Sequence, residues 1–263
     1  MSEENIKPKT ALVTGAGRGI GKSIAEALAR DGMKVICVSK SESSCGSTAE
    51  GIRANGGDAV ARAVDVSSSE QIKLACEELL SEYEFIDVLV NNAGIARSDE
   101  GPQDIIEVNT KGPKRVIDSL CSILQPKNGR VVNVTSASGP NFLSRCDRFI
   151  CRILTNENVS WDEISKLCSD FIEKYDNATN SVKAQLVDEV YGFSKACTNA
   201  LTMYQAKLYP NLIINACTPG FIETDMTRPM ALRNGRTPAE MGMKQTHDGV
   251  HSTLFLLMEN RVG

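Results

Sequence analysis

"TALVTGAGRGIGKSIAEALARDG", Thr10 to Gly32, passes from a short apolar run through a glycine-rich turn into an amphipathic stretch. The run at 10–14 reads as a buried strand. Ile24, Ala25 and Leu28 then share one side of a helix that stops near Gly32. Glycine lets a backbone turn tightly and come close to a pyrophosphate, while the free N–H groups that open a helix attract its charge. The strict G-x-G-x-x-G spacing fails, because position 20 is Ile20. Gly15, Gly19 and Gly21 give G-x-x-x-G-x-G instead, with Gly17 and Arg18 inside the turn. A glycine-rich turn alone can be structural. Directly after a buried strand and before an amphipathic helix, it points to a bound dinucleotide.

Outward from this unit the same rhythm continues. "KVICVS", "DAVARAVDV", "IDVLVNNAG", "GRVVNVTS" and "LIINAC" read as further strands. Between them lie helical stretches such as "SSSEQIKLACEELLSEY", "RVIDSLCSIL" and a helix predicted to begin near Tyr191. Strands alternating with helices of this length imply right-handed βαβ units. The expected fold is therefore α/β, a Rossmann-type doubly wound parallel sheet with helices on both faces, as one domain over 1–263. Two regions break the rhythm. A helical insertion is expected over about 140–187, where Ser160 and Glu163 have capping-box spacing and Ile164, Leu167, Cys168, Phe171, Ile172 and Tyr175 form a 3.6-period stripe. The Gly-, Pro- and Met-rich stretch over about 221–245 lacks periodicity and reads as a lid loop; its methionines suit either an adaptable apolar cover or plain loop packing.

Composition narrows the function. A net charge of −4 argues against a dedicated nucleic-acid binder, and no apolar run is long enough for a membrane span. The polar start "MSEENIKPKTALV" has no secretory h-region, so a cytoplasmic protein is expected. The nine cysteines form no C-x-x-C pair, which argues against structural zinc and for reduced thiols in the core. The choice of dinucleotide turns on the end of the second strand. NAD sites commonly place a carboxylate there for the ribose 2′-hydroxyl; here the chain has Ser39 followed by Lys40. With Arg18 nearby, two cations and no carboxylate favour a 2′-phosphate, hence NADP(H) over NAD(H), unless both cations are merely solvated.

"VYGFSKACTN" sets Tyr191 four residues before Lys195, on one helix face. An adjacent ammonium is expected to draw the phenol pKa down toward neutrality. Together "TGAGRGIG", "NNAG" at 91–94, "VTSASG" and "YGFSK" resemble the short-chain dehydrogenase/reductase family over Thr10 to about Met258, and the long spacer between Ser136 and Tyr191 is similar to its monomeric carbonyl-reductase branch. The resemblance implies roles. Tyr191 would protonate a carbonyl oxygen as hydride arrives. Lys195 would assist it and bond the nicotinamide ribose, Ser136 would donate to the substrate oxygen, and Asn109 would hold a water leading to Lys195. Thr135 and Ser138 are the alternatives to Ser136. Asp65 with Val66 would meet the adenine, Asn92, Ala93 and Gly94 would flank the cofactor, and Pro219, Gly220 and Thr224 would position the nicotinamide amide.

The implied activity is NADPH-dependent reduction of a small-molecule carbonyl substrate: an aldehyde, ketone or quinone. Two alternatives stay open: an NADP-linked alcohol or steroid dehydrogenase working in oxidation, and a cofactor-binding regulatory protein without turnover. Because the insertion should cover helix faces that relatives use to associate, a monomer is expected. After "LFLLMENRVG" the family continues into one more strand, so a missing C-terminal edge strand is expected too. His247 and His251 imitate a zinc-protease helix, but with Asp248 in place of the glutamate and no third ligand they are not read as a metal site.

Overall fold

Six runs rich in Val, Ile and Ala pair as parallel strands in the computed structural model, which describes residues 8–258. The chain begins β1 (Thr10–Thr14), α1 (Gly19–Arg30), β2 (Lys34–Ser39), α2 (Glu42–Ala54), β3 (Asp58–Ala63), α3 (Ser69–Glu82) and β4 (Val88–Asn91). Next, α4 (Pro102–Ile106) runs through a π-helical turn, Glu107–Lys111, into α5 (Gly112–Leu120), and β5 (Gly129–Val134) follows. Four helices come next: α6 (Ser138–Leu143), α7 (Arg148–Leu154), α8 (Trp161–Asp176) and α9 (Asn180–Leu208). The described chain closes with β6 (Leu212–Cys217), α10 (Arg228–Arg233) and α11 (His251–Met258).

The sheet order is β3-β2-β1-β4-β5-β6, a Rossmann-like arrangement. Order reverses between β1, which pairs Val13 with Cys37 of β2, and β4, whose Val90 pairs with Val13 on the other side. Such a switch point opens a crevice at the carboxyl ends of the strands, where ligands bind in this class of fold. Period-two alternation explains the layers. Ala11, Val13, Val35 and Cys37 face one way and pack with Ile24, Leu28 and Ala49 of α1 and α2. Leu12, Ile36 and Leu89 face the other way, against Ile72 and Leu79 of α3 and Ile117 of α5.

The insertion builds a third cluster. Ser160 caps α8 as its spacing predicts, with Glu163 returning a bond to the Ser160 backbone N–H. The buried stripe Ile164, Leu167, Cys168 and Phe171 packs with Ile105 and Ile106 of α4 and with Val190 and Phe193 of α9. Phe171 stacks on Phe193 with centroids 4.5 Å apart, while Phe142 of α6 meets Phe193 edge-on at 5.5 Å. Each such pair is worth roughly 0.5–1.5 kcal/mol beyond area burial. One expectation is corrected here. The helix carrying Tyr191 starts at Asn180, not near Tyr191, because Val182, Leu186 and Val190 keep helical spacing toward that cluster. The expected absence of a further edge strand lies outside the described residues.

Candidate active site

At the crevice, the turn after β1 is held by backbone geometry that side chains would obstruct. Gly19 has φ +56°, and a Cβ on Gly21 would lie 2.2 Å from the Gly15 carbonyl oxygen and 2.3 Å from Asn92 Nδ2. Asn92 braces the same turn: its Nδ2 donates to the carbonyls of Thr14 (3.0 Å) and Gly15 (3.3 Å). The Thr14 hydroxyl in return accepts from the backbone N–H groups of Asn92 and Ala93, each at 3.1 Å. Thr14 is a residue that sequence reasoning passed over, although it stands directly before Gly15. The result is a glycine cradle at the N-terminus of α1, where the opening N–H groups of a helix attract an anionic group. Ile20 leans into the core, partly buried.

Ser39 closes β2, its hydroxyl donating to the Ser41 carbonyl at 2.7 Å and pairing with the Ser44 hydroxyl at 3.0 Å. Lys40 reaches Asp65, 2.8 Å away. Burial alone would raise the Asp65 carboxyl, but the Lys40 ammonium and the Ser67 hydroxyl and N–H together hold it below the usual range. Val66 turns its side chain into the core, so its backbone alone remains for a ligand. Arg18 pairs with Asp225 at 3.2 Å. Thr224 approaches the glycine turn, its Cγ2 lying 3.5 Å from a Cβ built on Gly19. Gly220 takes φ +89° just beyond Pro219. The segment over 221–245 is pinned at its ends, where Glu223 N–H donates to the Lys244 carbonyl and Lys244 N–H to the Phe221 carbonyl, both at 2.8 Å. Of its methionines, Met243 is buried, whereas Met226 and Met230 are exposed.

Ser136 follows β5 and faces α9. Its hydroxyl donates to the Ser138 hydroxyl at 3.3 Å and accepts from the Ser138 N–H at 3.2 Å. Tyr191 comes close to it, and two influences act on the phenol. Burial pushes its pKa above 10, and the hydrogen bond with Ser136 pulls in the opposite direction without overcoming burial. This reverses the expected depression. The Lys195 ammonium stands 5.8 Å from the Tyr191 ring centroid and donates instead to the Val134 carbonyl at 3.0 Å. Its own pKa is lowered to about 8, chiefly because burial disfavours the charge.

Gly94 sits between Lys195 and Asn109: a Cβ there would meet Asn109 Oδ1 at 3.2 Å and Lys195 Nζ at 3.5 Å. Asn109 lies in the π-helical turn, a feature frequent at functional sites. Its side chain is fully engaged: Oδ1 accepts from Ile95 N–H at 2.9 Å, and Nδ2 donates to the Ile95 carbonyl at 2.8 Å and the Ser194 hydroxyl at 3.0 Å. The Asn109 carbonyl accepts from the Thr198 hydroxyl at 2.8 Å, so Ser194 and Thr198 are further members of this cluster that spacing did not flag. A cavity of about 460 Å³ between α4 and α8 is lined by Gln103, Ile106, Ile172 and Glu173 but by none of these groups. The candidate groups therefore lie outside that groove.

A family model described as short chain dehydrogenase matches residues 9–145. Carbonyl reductase (NADPH) 1 of Bos taurus is 31% identical to this chain, covering 91% of it and 90% of that protein. The (+)-neomenthol dehydrogenase of Arabidopsis thaliana is 30% identical over 86% of each. Among solved structures, salutaridine reductase from Papaver somniferum shares the fold with a TM-score of 0.81 over 97% of both chains, at 21% identity.

Proposed function

The chain belongs to the short-chain dehydrogenase/reductase family of oxidoreductases, and we propose that within it this protein is an NADPH-dependent carbonyl reductase acting on aldehydes, ketones or quinones. The observation that carries the proposal is the approach of the Ser136 and Tyr191 hydroxyls to one another beside the buried Lys195. The glycine cradle suits a dinucleotide: Gly15 and Gly21 let the turn close against Asn92 and Ala93 at the N-terminus of α1, where backbone N–H groups attract a pyrophosphate. Gly15, Gly17, Gly19 and Gly21 would hold the pyrophosphate, Asp65 and Val66 the adenine, and Asn92, Ala93 and Gly94 the adjoining ribose. Pro219, Gly220 and Thr224 would meet the amide of the ring. Arg18 and Lys40, with Ser39 in place of a carboxylate, suit a 2′-phosphate. The relatives named as NADPH carbonyl reductases agree with that choice.

NADPH, when bound, supplies the hydride. The chain's own groups then serve the oxygen. Two hydroxyl donors, Ser136 and Tyr191, aimed at a carbonyl oxygen stabilise negative charge as it develops there. Because burial keeps the Tyr191 phenol protonated through neutral pH, its proton remains available until that oxygen becomes basic enough to take it. The Lys195 ammonium, near the ring, then steadies the phenolate left behind. Asn109 holds Ile95 and Ser194 in place around this group. Residence in the cytosol, which nine free cysteines suit, and a monomeric state belong to the same proposal.

Turnover is tested with a panel of diketones and quinones, following loss of NADPH absorbance. Tyr191→Phe is expected to lower kcat by about 10²–10⁴-fold while leaving the NADPH dissociation constant nearly unchanged. Retained turnover would remove Tyr191 from the mechanism. NADPH binding without turnover on any member of the panel would favour a regulatory protein.

A further inference from the structure

The turn after β1 places Arg18 between two neighbours. A Cβ on Gly17 would lie 2.3 Å from the Ser44 hydroxyl and 3.1 Å from the Ser39 hydroxyl, so the residue before Arg18 abuts the end of β2. The residue after it, Gly19, abuts Thr224 of the segment that follows β6. Arg18 can thus reach either the β2 end or that segment. In this structure it faces the latter, with its Nη1 3.2 Å from Asp225 Oδ2. The Arg18 side chain is 78% exposed, which makes the pair weak and the guanidinium free to swing.

Resting on the NADPH reading above, we infer that Asp225 is a specificity-determining residue: its carboxylate competes with the cofactor's 2′-phosphate for Arg18. The surrounding charges permit the exchange. Asp225 Oδ1 also accepts from Arg228 Nη1 at 2.8 Å, and Arg228 Nε donates to Glu223 at 2.9 Å. When Arg18 leaves, Asp225 keeps a cationic partner and Arg228 keeps both of its carboxylates. A phosphate offers Arg18 a paired, charge-assisted acceptor in place of a single solvated oxygen. Lys40, the second cation at the β2 end, is likewise held by a carboxylate, Asp65. A 2′-phosphorylated ligand must displace these contacts, whereas a ligand with a free 2′-hydroxyl need not. Asp225 therefore lowers the preference for the phosphorylated cofactor.

Calorimetric titration of the wild type, Asp225→Asn, Arg18→Ala and the double variant with 2′,5′-ADP, 5′-AMP, NADPH and NADH tests this. Asp225→Asn is expected to tighten 2′,5′-ADP and NADPH about two- to fivefold, the range for an exposed pair, and to leave 5′-AMP and NADH unchanged. In the Arg18→Ala background the gain should vanish. Suppose the wild type prefers 2′,5′-ADP over 5′-AMP. Then an unchanged or weakened Asp225→Asn, an equal gain for 5′-AMP, or a gain that survives Arg18→Ala overturns the inference and leaves the cofactor reading standing. A wild type without that preference overturns both.

Discussion

Tyr191 and Lys195 stand one helical turn apart, and burial moves their acidities in opposite directions. It disfavours whichever form is charged, so the phenol is pushed above 10 while the ammonium falls from 10.5 to about 8. A depression of that size corresponds to roughly 3 kcal/mol of differential interaction between the two forms of Lys195. The neutral amine is thus within reach just above physiological pH. Lys195 is charged below about pH 8 and loses its charge above it, together with its help to a nearby phenolate. The pH profile of kcat/KM for carbonyl reduction is accordingly expected to be level on the acid side and to fall above about pH 8. A profile that stays level to pH 10, the ordinary range of an exposed lysine, would show that this charge does not contribute. The spacing of the two residues was visible in the sequence. The direction of the tyrosine shift was not, since the ammonium bonds Val134 of β5 and a pairwise view omits both burial and that carbonyl.

The strand, turn and helix formed by β1 and α1 make the element on which the proposed cofactor binding rests. Its glycines were legible from spacing, but the reason for each is spatial. Gly21 lies inside α1, where alanine would ordinarily be favoured by about 1 kcal/mol. Here a Cβ would strike the Gly15 carbonyl at 2.2 Å, and backbone on the far side of the turn has little room to yield. Gly21→Ala is expected to cost roughly 1–3 kcal/mol of stability in urea unfolding and to weaken NADPH binding at least about tenfold. Unaltered affinity would mean that the turn is not the binding element. In the insertion, the capping box at Ser160 and the apolar stripe of α8 were readable because both are local patterns. The start of α9 at Asn180 was not anticipated. Its first turns mix polar residues with Val182, Ala184, Leu186 and an exposed Val187, and burial of Val182 and Leu186 against the insertion cluster extends the helix.

For the whole molecule, the insertion changes which surfaces are available. The apolar stripe of α8 is consumed by α4 and α9 of its own chain, with Phe171 stacked on Phe193. Those helix faces are therefore covered rather than free for another copy, and light scattering is expected to return the mass of one chain, 28.5 kDa. A mass near four chains would refute this. The parallel sheet, the glycine turn and the one-turn spacing of Tyr191 and Lys195 were determined by sequence alone, because hydrophobic period, glycine conformation and helical spacing are properties of neighbouring residues. Tertiary structure alone decided which groups are buried, and so the acidities of Tyr191 and Lys195. It alone also set Arg18 against Asp225, 207 positions away. Desolvation and contacts between remote segments depend on how elements pack, and no local pattern along the chain encodes them.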